Sequence, residues 1–352
     1  MQRFAFTNDL SKAGLERFDA VIDVRSPSEY AEDRLPGAIN LPVLDDAERE
    51  RVGTHYTQVS VFEARRMGAA LVSRNIARHL ESALADRPKD FRPLVYCWRG
   101  GMRSQSMGLV LASVGWKVTL VKGGYRTWRQ QVVAAQEETA PLPVILVDGQ
   151  TGTAKTAILN RLAEMGEQVI DLEGLARHRG SVFGDFADEP QPSQKAFETA
   201  LHVALRDLDP ARPLFVEAES KQVGKRRIPP RLWNAMQAAP RIEVQAPLAE
   251  RARYLVDAYP DLLTDPGKLD AAIEALCRFH AKTDIAEWRA MAKAGDWPSL
   301  AAALIEAHYD PAYDRARKRR DTRRSDIVVE VETLDTAGIE AAAGRIREIG
   351  QG

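Results

Sequence analysis

The sequence predicts an α/β protein with two domains, each built around a parallel sheet that is covered by helices. Three observations lead to this class. The chain has 352 residues, more than an ordinary single domain contains. Short apolar runs alternate with helical patterns in both halves, which is typical of parallel sheets. Between Gln130 and Pro143 the composition changes to Ala, Gln, Glu and Pro, so we expect a first domain at residues 1–135 and a second at residues 136–352.

The individual elements follow from these patterns in chain order. In the first domain we predict strands at residues 20–24, 93–96 and 118–121, a long helix at 63–84 and a further helix that ends near residue 111. In the second domain an apolar run at 144–147 enters a Gly/Thr loop, and a helix begins at Lys155. Further strands are predicted at residues 168–171, 214–217, 241–244 and 327–331. The interval of about 247–325 has mostly helical patterns, which indicates a helical insertion.

Composition excludes several classes of protein. Hydrophobic residues make up 45% of the chain and charged residues 28%, the balance of a folded globular protein. No apolar run is long enough to cross a bilayer, and no secretory signal is visible at the N-terminus. Two cysteines cannot form a disulfide framework, so we expect a cytoplasmic protein without membrane contact. The net charge of −1 means that nucleic-acid binding must come from local basic patches.

A cysteine-containing loop joins the strand predicted at 93–96 to the next helix. Its residues are Cys97-Trp98-Arg99-Gly100-Gly101-Met102-Arg103-Ser104. In this position backbone N–H groups converge near a helix N-terminus, which stabilises a thiolate and binds an oxyanion. Arg103 adds a positive charge, so Cys97, Arg99 and Arg103 are the candidate catalytic residues. The alternative is a buried, inert cysteine, which is our interpretation of Cys277.

Four stretches of the first domain carry a resemblance to a known family. They are residues 23–30, 36–42, the cysteine loop and residues 122–128, and together they resemble the rhodanese-like family. The resemblance implies a cysteine that carries sulfur or selenium as a persulfide or selenosulfide. The chain departs from the family pattern at Arg34, where His is frequent, and its cysteine loop is one residue longer.

The longer loop leaves two kinds of chemistry open. The spacing Cys97-x5-Arg103 is also the signature of cysteine phosphatases, some of which have a rhodanese-like fold, and a wide loop fits a tetrahedral phosphate. Selenophosphate has the same phosphoryl head, so the loop suits a selenium donor as well. Tyr96 precedes the cysteine where many phosphatases carry His, which disfavours the phosphatase interpretation.

A second phosphate-binding motif opens the second domain. Residues 144–156 have the strand–loop–helix pattern of a Walker A motif, which predicts a P-loop NTPase-like α/β domain. We assign phosphate binding to Gly149, Thr151, Gly152, Lys155 and Thr156. Lys155 would bridge the terminal phosphates, and Thr156 would reach a magnesium ion if one is present. Ala154 replaces the glycine of the motif. Alanine fits there if the backbone has a negative φ, and its methyl group narrows the loop.

An acidic cluster lies where a Walker B element would end a strand. It consists of Glu217-Ala218-Glu219-Ser220, with glutamates in place of the usual aspartate. The alternative is a solvated strand end. We predict no set of metal ligands and no tightly bound cofactor.

The order of the two domains resembles the tRNA 2-selenouridine synthase family over almost the whole chain. Supporting stretches lie at residues 53–56, 61–68, 171–184, 191–194, 217–220 and 309–314. Ala154 and Ala218 depart from the glycine and aspartate expected in that family.

The resemblance implies a specific reaction on tRNA. The family replaces sulfur by selenium at the 2-position of a modified wobble 2-thiouridine, with selenophosphate as the donor, and it is associated with S-geranylation by geranyl diphosphate. An alkylated sulfur leaves as a neutral thiol, so the P-loop could hold the prenyl diphosphate in place of ATP. The sequence leaves both ligands, the prenyl diphosphate and a nucleotide, open. The alternatives are a cysteine-dependent phosphatase or P-loop kinase with a rhodanese-like domain, and a non-catalytic regulator.

Two basic clusters in the second domain are candidates for tRNA contact. They lie within residues 221–231 and 315–324 and include Lys225, Arg226, Arg227, Arg319 and Arg320. This density of basic residues suits a phosphate backbone, and a solvated helix face is the alternative. His178 and Arg179 follow a strand end near the Walker A motif, where α/β sheets bind ligands. We therefore predict that tRNA binds around the mouth of this motif.

Overall fold

The computed structural model describes residues 4–180, 184, 189–318 and 327–351. The chain forms two compact units, residues 1–137 with 193–203 and residues 138–192 with 204–352. The sequence analysis places the boundary at 135/136 and assigns all of the later chain to the second domain. The structure differs for residues 193–203, which belong to the first unit. One of their side chains, that of Thr199, is hydrogen-bonded to Asp33 of that unit.

The first unit is built on a parallel sheet. Its strands are β1 (Ala5–Thr7), β2 (Ala20–Asp23), β3 (Ala38–Asn40), β4 (Pro93–Tyr96) and β5 (Thr119–Val121), in the order β1-β5-β4-β2-β3. The strands β2, β4 and β5 are the predicted ones. The edge strands β1 and β3 have three residues each, too few for a periodic pattern. All four residues of the central strand β4 are buried, as expected for a sheet covered on both faces.

Helices pack on both faces of this sheet. They are α1 (Lys12–Leu15), α2 (Pro27–Glu32), α3 (Asp46–Gln58), α4 (Val61–Glu81), α5 (Met102–Val114) and α6 (Tyr125–Gln136). Val95 of β4 belongs to the core on one face, and Leu94 and Tyr96 belong to the core on the other. This alternation follows from the two-residue repeat of a strand.

A helix from the later chain completes the first unit. Helix α9 (Gln194–Arg206) brings Thr199, whose hydroxyl donates to Asp33 Oδ2 (3.0 Å). The hydroxyl of Tyr125 donates to the same oxygen (2.7 Å). Burial raises the pKa of Asp33 in spite of these hydrogen bonds. Because buried polar groups need partners, this network holds residues 193–203 in the first unit.

The second unit is built on another parallel sheet. Its strands are β6 (Val144–Gly149), β7 (Gln168–Ile170), β8 (Leu214–Glu217), β11 (Arg241–Gln245) and β12 (Ile327–Glu330), in the order β12-β11-β6-β8-β7. The strands β9 (Gln222–Val223) and β10 (Arg226–Arg227) form a separate antiparallel hairpin. Because β6 is central, the loop that follows it opens at the carboxyl edge of the sheet, where α/β proteins bind ligands.

Helices make up most of the remaining second unit. They are α7 (Lys155–Glu164), α8 (Leu172–Ala176), α10 (Pro230–Ala238), α11 (Leu248–Ala258), α12 (Pro260–Leu263), α13 (Pro266–Glu274), α14 (Lys282–Ala294), α15 (Trp297–Leu304), α16 (Asp310–Lys318) and α17 (Thr336–Gln351). A 3-10 turn at Ala275–Arg278 and a π-helical turn at Ile305–Tyr309 interrupt the series. The predicted helical insertion is confirmed for residues 248–318. None of the described helices is both long and apolar enough to cross a membrane.

Candidate active site

The cysteine loop connects the end of β4 to the start of α5. The backbone N–H of Tyr125 donates to the carbonyl oxygen of Cys97 (2.8 Å), which fixes the loop against the start of α6. A side chain at Gly124 would place its Cβ 2.2 Å from that oxygen. Gly100 has a φ of +67°, in the left-handed region that favours glycine. The local sequence therefore specifies a tight loop around Cys97.

Cys97 lies in the lining of an open cleft. The residue is 3% exposed, and its Sγ is 3.2 Å from the Oγ of Ser104. The cleft has a volume of about 630 Å³, and Trp98, Arg99 and Arg103 also line it. The structure therefore brings the three candidate catalytic residues together around one cleft.

Arg103 is paired with a carboxylate in this cleft. Its guanidinium donates to Glu29 Oε2 (2.7 Å), and the Nε of Arg49 donates to the same oxygen (2.9 Å). Burial acts to raise the pKa of Glu29, but the hydrogen bond and charge of Arg103 and the charge of Arg49 outweigh it, so the pKa lies below its ordinary value. The ionised Glu29 therefore neutralises part of the positive charge beside Cys97.

Glu29 is a site residue that sequence reasoning missed. Ser26 and Glu29 form a capping box at the start of α2, and their spacing predicts such a helix start. The same signal does not predict a partner for Arg103, because the ion pair joins residues 74 positions apart.

The cleft is suited to a small anion with a phosphoryl head. Arg99 is exposed at its rim, and Arg103 can exchange the Glu29 carboxylate for a bound anion of higher charge. The N-terminus of α5 at Met102 adds its N–H groups and partial positive charge. A thiol in such surroundings can act as a nucleophile or carry a chalcogen atom.

The loop after β6 follows a Walker A course, and α7 begins at Lys155. Ala154 has a φ of +59° and a ψ of +27°, so the condition of a negative φ, under which alanine fits the loop without strain, is not met. The backbone turns from loop to helix at this residue, and the motif normally uses glycine for that conformation. The side chain of Ala154 is 3% exposed and packs in the same core as Ile158. Alanine thus occupies a left-handed position in which its methyl group is buried.

The side chains of Lys155 and Thr156 in the motif form hydrogen bonds with other protein groups. Lys155 Nζ donates to the carbonyl oxygens of Gly149 (2.8 Å) and Gln150 (3.1 Å). The hydroxyl of Thr156 donates to Glu173 Oε2 (3.1 Å). The ammonium group therefore lies within the loop, where terminal phosphate oxygens could take over its hydrogen bonds.

Carboxyl groups gather beside the Walker A loop. Glu217 at the end of β8 is 1% exposed, so a solvated strand end is excluded. Its Oε1 accepts the N–H of Glu173 (2.7 Å), and its Oε2 has no partner among the described residues. Burial and the neighbouring Glu173 raise the pKa of Glu219 to about 8, so Glu219 is mostly protonated at neutral pH. Within the described ranges, no group of three or more acidic, His or Cys side chains is arranged to hold a metal ion.

Comparison with known proteins agrees with both motifs. A family model described as the tRNA 2-selenouridine synthase AAA domain matches residues 142–280, and one described as a rhodanese-like domain matches residues 7–131. A tRNA 2-selenouridine synthase from Psychromonas ingrahamii is 33% identical over 255 residues, which are 72% of this chain and 68% of that protein. The chain belongs to the tRNA 2-selenouridine synthase family.

Other members of the tRNA 2-selenouridine synthase family are similarly related. The proteins of that name from Chromohalobacter salexigens and Nitrosomonas europaea are 41% and 36% identical, over 69% and 70% of this chain. The chain spans about two thirds of their length, with matches that cover 66% and 64% of them. The resemblance drawn from the cysteine loop and the Walker A motif is thus confirmed.

In this member of the synthase family, the central part of the first basic cluster lies on the β9–β10 hairpin, and Arg231 of the same cluster lies in α10. Arg226 and Arg227 form β10, and Lys225 stands in the turn before them. Arg319 and Arg320 of the second cluster lie outside the described residues. Contact of these residues with tRNA stays a prediction.

His178 and Arg179 follow α8 in the second unit. His178 is 8% exposed, and its Nδ1 accepts the N–H of Gly180 (3.0 Å), a contact that stabilises the turn. The guanidinium of Arg179 lies 4.5 Å from the ring centre of Tyr259. The two side chains therefore have different surroundings: His178 is buried and hydrogen-bonded within the turn at residues 178–180, and Arg179 stacks on an aromatic ring.

Proposed function

We propose that this protein replaces sulfur by selenium at the 2-position of a wobble 2-thiouridine in tRNA. Membership of the tRNA 2-selenouridine synthase family carries the proposal. The Cys97 cleft and the Walker A loop support it, because the reaction needs one site for an anionic selenium donor and another for an alkylating diphosphate.

The proposed reaction has two steps. In the first, the sulfur of 2-thiouridine attacks C1 of geranyl diphosphate, the carbon–oxygen bond breaks, and diphosphate leaves. In the second, selenium from selenophosphate adds to C2 of the base, the carbon–sulfur bond breaks, and geranyl thiol leaves. The selenium is released when the Cys97 thiolate attacks the phosphorus of selenophosphate and the phosphorus–selenium bond breaks. Water then cleaves the sulfur–phosphorus bond of the phosphocysteine, and the phosphoryl group leaves as phosphate, which regenerates the thiol. Alkylation precedes exchange because a neutral thiol leaves more readily than the sulfur of a thiocarbonyl.

The Cys97 cleft is the proposed site of the selenium donor. The phosphoryl head of selenophosphate would replace Glu29 on Arg103, with Arg99 at the rim as a second cation. The phosphorus atom would then lie beside the Cys97 thiol, with selenium as the leaving group. In the second unit, basic segments such as the β9–β10 hairpin would bind the phosphate backbone of the tRNA, because phosphate contacts supply much of the affinity of a protein for RNA.

The Walker A loop is the proposed site of geranyl diphosphate. Lys155 would exchange its loop carbonyls for phosphate oxygens, and the N–H groups of residues 149–156 would cradle the diphosphate. Thr156 would contact a magnesium ion that accompanies the diphosphate. No nucleotide is required for the chemistry proposed.

Mass spectrometry of tRNA nucleosides tests the proposal. Thiolated tRNA is incubated with selenophosphate and geranyl diphosphate, and the 2-selenouridine and S-geranyl nucleosides are quantified. We expect Cys97→Ser to abolish 2-selenouridine, because a serine hydroxyl is a much weaker nucleophile toward selenophosphate than the thiolate, and Arg103→Ala to reduce it. Cys277→Ser is the matched control and should retain full conversion. Cys277 is exposed, so its interpretation as a buried cysteine is wrong.

Three outcomes contradict parts of the proposal. Wild-type conversion by Cys97→Ser would remove Cys97 from the mechanism. A wild-type protein that forms neither nucleoside would contradict the function itself. If the wild type formed neither nucleoside but hydrolysed a chromogenic phosphate monoester, and Cys97→Ser did not, a cysteine phosphatase would be favoured.

A further inference from the structure

An apolar cavity lies in the helical part of the second unit. It lies between residues of α11, α12, α13 and α15, is partly open to solvent and has a volume of about 80 Å³. Six leucines line it, namely Leu255, Leu262, Leu263, Leu269, Leu300 and Leu304. None of the described residues in its lining carries a charge. This cavity has no part in the cysteine chemistry.

The cavity adjoins the Walker A loop directly. Thr151 of that loop is one of the lining residues. A Cβ at Gly152 would lie 3.2 Å from Leu255 Cγ, so the loop and the cavity wall are in van der Waals contact. A ligand whose phosphates occupy the loop would therefore have this apolar space next to it.

A buried ion pair holds the loop and the cavity wall together. Arg251 of α11 is 3% exposed, and its Nε donates to the carbonyl oxygen of Thr151 (2.9 Å). The same guanidinium pairs with Asp310 (2.5 Å), which follows Tyr309 of the cavity lining. Because these partners lie on separate elements, the relative position of the phosphate loop and the cavity is set by the fold.

The apolar lining of the cavity favours an apolar ligand over a polar one. A nucleobase carries donors and acceptors along its edge, and each would lose water without gaining a partner against leucine side chains. A hydrocarbon chain gives up no hydrogen bonds when it leaves water, and it gains contact with the same side chains. The guanidinium of Arg179, stacked on the lining residue Tyr259, adds a cation suited to a phosphate at the rim.

We propose that this cavity holds the hydrocarbon chain of a prenyl diphosphate whose diphosphate lies on the Walker A loop, and that the cavity sets the length of the chain. The inference rests on the proposed function and deepens it. A cavity of about 80 Å³ has room for about five to eight water-sized groups, at roughly 10–15 Å³ for each. That space takes one five-carbon unit and up to about three carbons of a second, so a ten-carbon chain fills it and a fifteen-carbon chain extends well beyond it.

Direct binding to the full chain tests the cavity without any turnover. Calorimetry compares dimethylallyl, geranyl and farnesyl diphosphate, with inorganic diphosphate and ATP as further probes. Ala301 lines the cavity, and we expect Ala301→Phe to weaken geranyl diphosphate about tenfold or more while inorganic diphosphate binds as before. Ala294→Phe is the matched control, because Ala294 is exposed on α14, and its affinities should equal those of the wild type.

A second variant tests chain length in the opposite direction. Leu263 lines the cavity and is half-buried, so Leu263→Ala should enlarge the space and shift the preference between farnesyl and geranyl diphosphate toward farnesyl by about tenfold. Unchanged inorganic diphosphate binding in each variant shows that the loop is folded.

The outcomes separate this inference from the proposed function. The cavity assignment would be overturned if Ala301→Phe bound geranyl diphosphate as tightly as the wild type does. It would also be overturned if Ala301→Phe bound ATP more weakly than the wild type does. In either case, 2-selenouridine formation by the wild type would still support the function. Loss of geranyl diphosphate binding in Ala301→Phe, together with a wild type that forms no 2-selenouridine, would support the cavity and overturn the function.

Discussion

The left-handed alanine of the Walker A loop leads to a quantitative prediction for Ala154→Gly. A non-glycine residue in the left-handed region costs about 1–2 kcal/mol, and glycine removes that strain. The substitution also loses a buried methyl group, worth about 0.8 kcal/mol, and makes the unfolded chain more flexible, which costs about 0.4–1 kcal/mol. The gain and the losses nearly cancel, so we expect the free energy of unfolding to change by less than about 1 kcal/mol.

A matched control in the same core separates strain from burial. Ala343 lies within α17, is fully buried, and belongs to the same cluster as Ala154. Ala343→Gly also loses a methyl group worth about 0.8 kcal/mol, and glycine in a helix interior costs about 1 kcal/mol. No strain is relieved at this helical residue. We therefore expect Ala343→Gly to destabilise the second unit by about 2 kcal/mol.

Equilibrium urea unfolding followed by circular dichroism measures both variants. Because Ala154 and Ala343 lie in one core, they report on the same transition, and the difference between their midpoints is more secure than either absolute value. We expect Ala343→Gly to shift the midpoint clearly and Ala154→Gly to leave it near the wild type. Equal losses in the two variants would refute the strain at Ala154.

Two further predictions concern the diphosphate site. Lys155→Ala should lower the affinity for geranyl diphosphate by about tenfold or more, because a charged hydrogen bond to phosphate is lost. The exposed Lys293 provides the control in Lys293→Ala, and equal calorimetric affinities in the two variants would contradict the role of Lys155. Glu219, with a pKa of about 8, should lose its proton as the pH rises from about 7 to about 9 and thereby weaken diphosphate binding. Glu219→Gln should abolish this pH dependence, and a wild-type affinity that is constant across the range would contradict it.

Much of the cysteine site could be predicted from the sequence because its signals are local. Gly100 and the strand–loop–helix pattern around Cys97 lie within a few residues, and short-range sterics determine the course of such a loop. The pairing of Glu29 with Arg103 could not be predicted in this way. The two residues meet only because α2 and α5 pack around one sheet, and nothing in either segment specifies the other.

The Walker A loop illustrates the same division at a single residue. The spacing of Gly149, Gly152 and Lys155 predicts a phosphate loop, and the structure confirms the strand and helix on either side. Alanine avoids the left-handed region, so the sequence alone makes a negative φ the condition for fitting Ala154 without strain. The turn from loop to helix imposes a positive φ instead, and burial of the methyl group, worth about 0.8 kcal/mol, offsets only part of a cost of about 1–2 kcal/mol.

By itself, the amino-acid sequence determined the two parallel sheets, the cysteine loop, the Walker A loop and the family, because each is encoded by neighbouring residues or by a short period. Tertiary structure alone decided three features, which are the place of residues 193–203 in the first unit, the carboxylate on Arg103, and the apolar cavity beside Thr151. Each depends on elements far apart in the chain that meet only after folding. Leucines at helical spacing predict a buried face, but only the packing of several such faces determines whether they close completely or leave room for a ligand.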